Sequence, residues 1–239
     1  MLKRGAKTLI LRWNSKVTFN NKTRKVERTY EMVDNNNQLI AKANAVDNHS
    51  LSLKDGPCKS VLNLNNKNYW VKSIFKFRCD WHIVDENQNT ILTLHPSEEA
   101  YMRKKKKLFS REEVEVESHL YVDELTIDGR TFNLYQVSLG KGKQYIVIHE
   151  NGNVVAEIHV YDSVINYARC QEIYCIDDET VVNLIAMYCY MYNVYFNWTP
   201  DESVIHNNGC YNETKSKSTN EYLLSKFSQE FIDNIIHEN

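Results

Sequence analysis

Residues 181–196, from Val181 through Phe196, form a run of sixteen without a single charged side chain, and no other segment constrains the fold as much. Asp177, Asp178, Glu179 and Thr180 precede it, an acidic, cap-capable lead that suits the positive end of a helix dipole. As a helix the run spans roughly 24 Å at about 1.5 Å per residue, short of the ~30 Å hydrocarbon core of a bilayer. Asn183 and Asn193 would add cost there. A helix apolar on every side and too short to cross a membrane has to be enclosed by protein. The expectation is a buried central helix over residues 178–196 and an enclosure that wraps all of its faces.

The wall of that enclosure shows itself at period two. Thr29 to Val33, Glu113 to Glu117 and Leu120 to Ile127 alternate, or nearly alternate, apolar with polar residues and are dense in Val, Ile, Thr and Tyr, the pattern of half-buried strands. Turn-forming residues separate such segments, among them Asp34 to Asn37, Asp85 to Asn89, Asp128-Gly129 and Asn151-Gly152. Asp-Gly and Asn-Gly are the strongest hairpin signals because they accept positive φ. Three strand-turn-strand units resemble one another, at Val33 to Ile40, Val84 to Ile91 and Ile148 to Val155, yet spacings of 51 and then 64 residues are too uneven for a solenoid or propeller. A dozen or so short antiparallel strands must curl, split or close, since open edges invite association. The fold class that follows is mainly β: a closed antiparallel β-barrel of about twelve strands around a central hydrophobic α-helix.

Barrel and helix are assigned to residues 1–196, and residues 197–239 to an appendage. Its first part carries Pro200, Gly209 and many Asn, Ser and Thr and reads as a loop. Residues 218–239 read as one amphipathic helix: Ser218-x-x-Glu221 has the form of a capping box, and Leu223, Phe227, Phe231 and Ile235 recur at helical spacing. Such a stripe is expected to dock on the barrel.

Net charge is −2, from 29 basic and 31 acidic residues, which excludes a chain basic enough to bind polyanions with its whole surface. The distribution is uneven: residues 1–28 hold nine Lys or Arg against Glu27 alone, so they carry +8 and the remainder −10. The basic start is followed by only Leu9-Ile10-Leu11 before Arg12-Trp13, short of the roughly 7–15 apolar residues of a secretory signal. Six cysteines at irregular spacings fit reduced thiols. The expected location is cytoplasmic, with peripheral membrane attachment open and no transmembrane segment.

Catalytic and metal motifs fail on inspection. His149-Glu150 begins like a zincin, but Asn153 stands where the second His belongs and Asn151-Gly152 would break the helix. Cys170 and Cys175 are five apart, so in a strand they point to opposite faces. The Asp85 turn lacks the turning Gly and the bidentate Glu of a calcium loop. Gly140-Lys141-Gly142-Lys143 lacks the first Gly and the Ser or Thr of a phosphate loop. Asp177, Asp178 and Glu179 already serve a helix start. No catalytic residue, metal site or cofactor is assigned, and enzymatic activity is not expected.

The sharpest local feature is Arg103, Lys104, Lys105, Lys106 and Lys107, five cations in succession. In a strand they charge both faces, which an interior strand does not tolerate, so the run is expected in a loop or at an exposed edge. Solvation and protection of that edge is one reading. The other is an anion site, since each Lys or Arg near an acidic membrane contributes on the order of 1 kcal/mol. Nucleic acid is disfavoured, because no interleaved aromatic platform accompanies the run.

Tyr145 to Glu150, the hairpin Asn151-Gly152-Asn153-Val154-Val155-Ala156-Glu157-Ile158, the strand ending Tyr174-Cys175-Ile176-Asp177-Asp178-Glu179 and the apolar helix together resemble the closing section of LURP-one-related proteins. Lys107-Leu108-Phe109-Ser110 resembles the strand entries that recur in that family. The family groups with tubby C-terminal domains and phospholipid scramblases. The resemblance implies a twelve-stranded barrel threaded by a hydrophobic helix over about residues 1–196, and it implies membrane or phosphoinositide ligands without mapping a lipid-site residue here. The function expected is a non-enzymatic binding module that attaches reversibly to anionic lipid headgroups, or another phosphorylated ligand, through Arg103 to Lys107 and the basic N-terminal strands. The alternative is a protein-protein interaction scaffold that uses the C-terminal helix or an exposed strand edge.

Overall fold

Twelve strands follow one another round a closed antiparallel barrel, each bonded to its neighbours in chain order, with the first and last pairing to close the ring. They are β1 (Thr8–Asn20), β2 (Lys25–Asp34), β3 (Leu39–Val46), β4 (Lys59–Leu64), β5 (Lys67–Phe75), β6 (Cys79–Val84), β7 (Thr90–Lys106), β8 (Glu113–Ile127), β9 (Arg130–Ser138), β10 (Lys143–Glu150), β11 (Asn153–Tyr161) and β12 (Arg169–Ile176). Three helices follow: α1 (Glu179–Met191), α2 (Lys217–Leu224) and α3 (Gln229–Glu238). The computed structural model describes residues 7–20, 25–46, 59–75, 79–106, 113–139, 143–161, 169–192 and 217–239.

The number of strands and the apolar helix require each other. Twelve strands about 4.8 Å apart and tilted about 40° make a cylinder roughly 24 Å across. Eight strands can fill their bore with their own side chains, but twelve leave a channel about as wide as a helix. Helix α1 fills it: Leu184 to Met191, eight consecutive residues and so every face of more than two turns, are at most 2% exposed. They share one core with the inward residues of the strands, such as Leu11, Leu62, Ile83, Leu125 and Ile173. Strand β3 turns Ala41, Ala43 and Ala45 inward, and the β4 beside it contacts α1 closely. The Tyr190 and Ser60 hydroxyls bond at 2.8 Å within this interior. Asp178 is the helix's N-cap, accepting from the Val181 N–H at 3.1 Å, and within the described residues the helix runs to Met191. Residues 193–196 lie outside the described residues.

The three similar hairpins are β2–β3, β6–β7 and β10–β11, one in every four strands round the ring. Each carries the same irregularity beside the turn, an extra residue on its second strand: Ile40 between the partners of Met32 and Val33, Ile91 between those of Ile83 and Val84, and Val155 between those of Ile148 and His149. Asn37, Gln88, Asn151 and Gly152 take positive φ in these turns, the backbone state that Asn and Gly accept at least cost. The uneven spacing comes from one long hairpin between the second and third units. Strand β7 pairs with β6 only as far as Leu94, and β8 with β9 only from Asp123. Residues 95–106 and 113–122 therefore pair with each other alone among the described residues, as a two-stranded ribbon beyond the barrel rim.

The C-terminal stripe does dock on the barrel, but as two helices. Ser225 to Ser228 break the run, and Ser228 caps α3 by accepting from the Phe231 N–H at 3.1 Å. Ser218 lies inside α2 rather than at a cap. Helix α2 packs on β7 and β9, and α3 on β1 and β12. Leu223, Phe231, Ile232 and Ile235 are buried. A single straight helix could not keep one stripe on two walls that curve away from each other, and the elbow lets it do so.

Candidate functional site

Because the strands alternate in direction, the even-numbered strands all begin at one rim and end at the other. Helix α1 enters at the rim where β12 ends, and that rim is acidic. Its carboxylates are engaged in holding the chain. Asp34 Oδ1 accepts from the N–H groups of Asn36 and Gln38 at 2.9 and 2.8 Å, and Asp85 Oδ1 repeats this with Asn87 and Asn89 at the same distances. The Asn89 amide and these turn N–H groups hold the Asp85 carboxyl below its usual range. Arg130 donates to both Glu150 oxygens at 2.7 Å and to Asp178 at 2.9 and 3.1 Å. Burial opposes the Asp178 charge, but Arg130 and the Val181 N–H outweigh it and lower its pKa. These acids secure turns and the entry of α1, and the described residues contain no His, Cys, Asp or Glu cluster suited to a metal ion.

The far rim is where most of the basic strand ends fall, although β8 opens there on Glu113. Of the six strands that begin there, four open on a cation: Lys25, Lys59, Lys143 and Arg169. Strand β7 ends there on Arg103, Lys104, Lys105 and Lys106. The basic N-terminal region does not gather at one side, because β1 carries it along the whole wall. The Lys7 carbonyl accepts from the Asp177 N–H at 2.8 Å, and Arg12 donates to Asn37 Oδ1 at 2.7 Å, both at the acidic rim. Lys16, Lys25 and Arg28 fall in the part of the β1–β2 hairpin near the basic rim.

Four members of the five-residue run, Arg103 to Lys106, lie on the ribbon, where β7 pairs with β8 alone and its other edge is covered by no described strand, the exposed edge expected of them; Lys107 lies outside the described residues. In register Arg103 stands opposite Val116, Lys104 opposite Glu115, Lys105 opposite Val114 and Lys106 opposite Glu113. One face of the ribbon is open to water, while the other packs at its base on α2, where Tyr101 stacks on Tyr222 and Val122 lies beneath Leu223. The alternation divides the cations between the two. Met102 and Lys104 share one face with Glu115, Glu117 and His119, all exposed. Arg103 and Lys105 share the other with Val114 and Val116, both half-buried. Arg103 Nε is buried with no hydrogen-bond partner among the described residues.

A second cluster, not foreseen from the sequence, lies where α2 meets the outer wall. Glu99 accepts from Lys226 at 2.9 Å and from the Tyr222 hydroxyl. Lys226 Nζ also sits 4.7 and 4.6 Å from the ring centres of Tyr135 and Tyr222. His149 Nε2 meets the Lys226 carbonyl at 2.9 Å. Burial works against the Glu99 charge, but Tyr222, Lys226 and Tyr135 hold its pKa below the usual value. Burial and Glu99 push the Tyr135 hydroxyl up to about 12. One strand further, Glu157 is fully buried, with Oε1 accepting from the Ser228 N–H at 2.7 Å. These groups are tied to one another across the contact, and they fasten the elbow to the barrel. Nothing in the sequence marks them, since Glu99 and Lys226 are 127 residues apart.

No family model, curated protein or solved structure matches the chain. The fold itself is a closed twelve-stranded antiparallel barrel with a helix in its bore. Among the described residues no helix is long and apolar enough to cross a membrane.

Proposed function

We propose that the protein is a non-enzymatic binding module that attaches reversibly to an anionic surface, lipid headgroups or another phosphorylated ligand, through the basic rim and its ribbon. The observation that carries this reading is the sorting of charge by the barrel, with cations opening four strands at one rim and acids in the turns of the other. A field of one sign at one end orients the molecule toward a polyanion even though its net charge is −2. The barrel threaded by a helix agrees with the resemblance to LURP-one-related proteins and their tubby-like relatives, and a cytoplasmic, membrane-peripheral protein is consistent with both. Sedimentation with phosphatidylserine-containing vesicles at low salt tests it. Changing Lys104, Lys105 and Lys106 together to Glu is expected to cut binding at least tenfold, at about 1 kcal/mol per charge. Unchanged binding, or none by the wild type, removes the proposal.

The second reading, a protein-interaction scaffold, draws on the outer edges of the ribbon, which no other described strand covers. It draws less on the C-terminal helices, whose apolar stripe is occupied by the barrel. Deleting residues 218–239 separates the possibilities. Exposure of Val122, Tyr135, Val137 and Val147, which pack under Leu223, predicts aggregation. Clean loss of a copurifying partner from a barrel that stays folded would favour the scaffold.

A further inference from the structure

Beyond the barrel rim β7 has one edge to spare. From Ser97, the first residue past Pro96, to Lys106, it pairs with β8, and no other described strand lies along its far side. Pro96 has no N–H to offer and closes that edge at the barrel end. Helix α2 leaves the rest open: Tyr222 reaches back to stack on Tyr101, but Leu223 packs on Val122, Tyr135, Val137 and Val147, over β8, β9 and β10 and away from this edge. A row of backbone N–H and C=O groups at a sheet edge is a template for one more strand.

The charge along this stretch is graded. Glu98 and Glu99 open it, Ala100 to Met102 are uncharged, and Arg103 to Lys106 close it. A second copy laid alongside in parallel register would set cation on cation. Turned antiparallel about Tyr101, the same copy sets Glu98 opposite Lys104 and Ala100 opposite Met102, each pair occurring twice by symmetry. All four residues lie on the ribbon's open face and are exposed, Met102 by 58%. Lysines at an edge ordinarily discourage pairing. Here they repel a copy that matches run with run and admit the antiparallel arrangement that matches base with acid.

We propose that the free edge of β7 pairs antiparallel with the same edge of a second copy of this chain, joining two ribbons into one four-stranded sheet and two barrels into a symmetric dimer. This rests on the scaffold reading, whose free edge it uses and whose partner it names, and it stands apart from attachment to an anionic surface.

Sedimentation velocity of the full chain, without vesicles and over a range of concentrations, tests it. The wild type is expected to pass from monomer to dimer through roughly the micromolar range, as suits a small interface. Glu98→Lys and Lys104→Glu, each alone, set like charges opposite one another at both ends of the pairing and should weaken it at least about tenfold. An equimolar mixture of the two variants sets opposite charges together again and recovers the dimer, as does the double variant Glu98→Lys/Lys104→Glu. Recovery in the mixture also shows that neither substitution unfolds the ribbon. Single variants that dimerise as well as the wild type, or a mixture that stays monomeric, overturn the pairing. A wild type that stays monomeric overturns it too, and leaves the scaffold reading to a different partner, which the deletion of residues 218–239 tests separately.

Discussion

At the scale of single residues, this protein puts its ionised groups to mechanical use. Arg130 joins the β10 end, through Glu150, to the cap of the central helix, through Asp178, and all three side chains are substantially shielded. Replacing Arg130 with Ala strands two carboxylates, and urea denaturation at pH 7 is expected to show a loss of about 2 kcal/mol. Because the Asp178 pKa is lowered in the folded state, its contribution is present above the unfolded value near 3.8 and lost as pH falls through the lowered one. Arg130→Ala should flatten that acid limb. Glu157 has the opposite sign. Burial pushes its carboxyl up from about 4.5 to about 8, so its stabilisation is complete below pH 4.5 and disappears as pH rises toward 8. Glu157→Gln keeps an acceptor for the Ser228 N–H and removes the titration. Its stability relative to wild type is expected to climb by up to about 1.4 kcal/mol per pH unit between pH 5 and 8. Parallel curves would show that Glu157 does not titrate there. His149, whose pKa burial lowers, works at the other limb: its contribution is present above the unfolded value near 6.5 and fades as pH falls through the lowered one.

At the scale of elements, the distance between α1 and the wall is set by side-chain size. Ala41, Ala43 and Ala45 are buried and inward on β3, so this wall admits the helix where larger residues would push it off the axis. Ala43→Leu adds three carbons to a filled core and is expected to cost about 1–3 kcal/mol in chemical denaturation. The same change at the outward Asn44 should be nearly silent, and equal costs would mean that the helix does not press on β3. The alternation that makes these strands was plain in the sequence, as were the three similar turns. Ser225 to Ser228 gave no warning of the break between α2 and α3, because the apolar stripe runs on through Phe227 and Phe231 at helical spacing. Only the two-walled docking surface shows why the helix divides.

At the scale of the whole molecule, closing the sheet places acidic turns at one rim and most of the basic strand ends at the other, the arrangement on which the proposed attachment rests. Attachment to acidic vesicles is therefore expected to weaken steeply with salt, since the Debye length shortens from about 30 Å at 0.01 M to about 8 Å at 0.15 M. Salt-insensitive binding would point to apolar insertion instead. The uncharged run from Val181, together with period-two strands too numerous for an open sheet, was enough to determine a closed β-barrel around a helix. Burial of an apolar segment and satisfaction of sheet edges are demands that composition and periodicity already express. The placement of function was a tertiary matter. Lys7 and Lys16 are nine residues apart, yet one strand carries them toward opposite rims. Arg103 and Lys104 are adjacent, yet the pleat sends them to opposite faces, and Glu115, from the partner strand, stands opposite only one. A run of like charge in sequence is a sum over positions, whereas a surface is a selection made by strand direction, pleat and register.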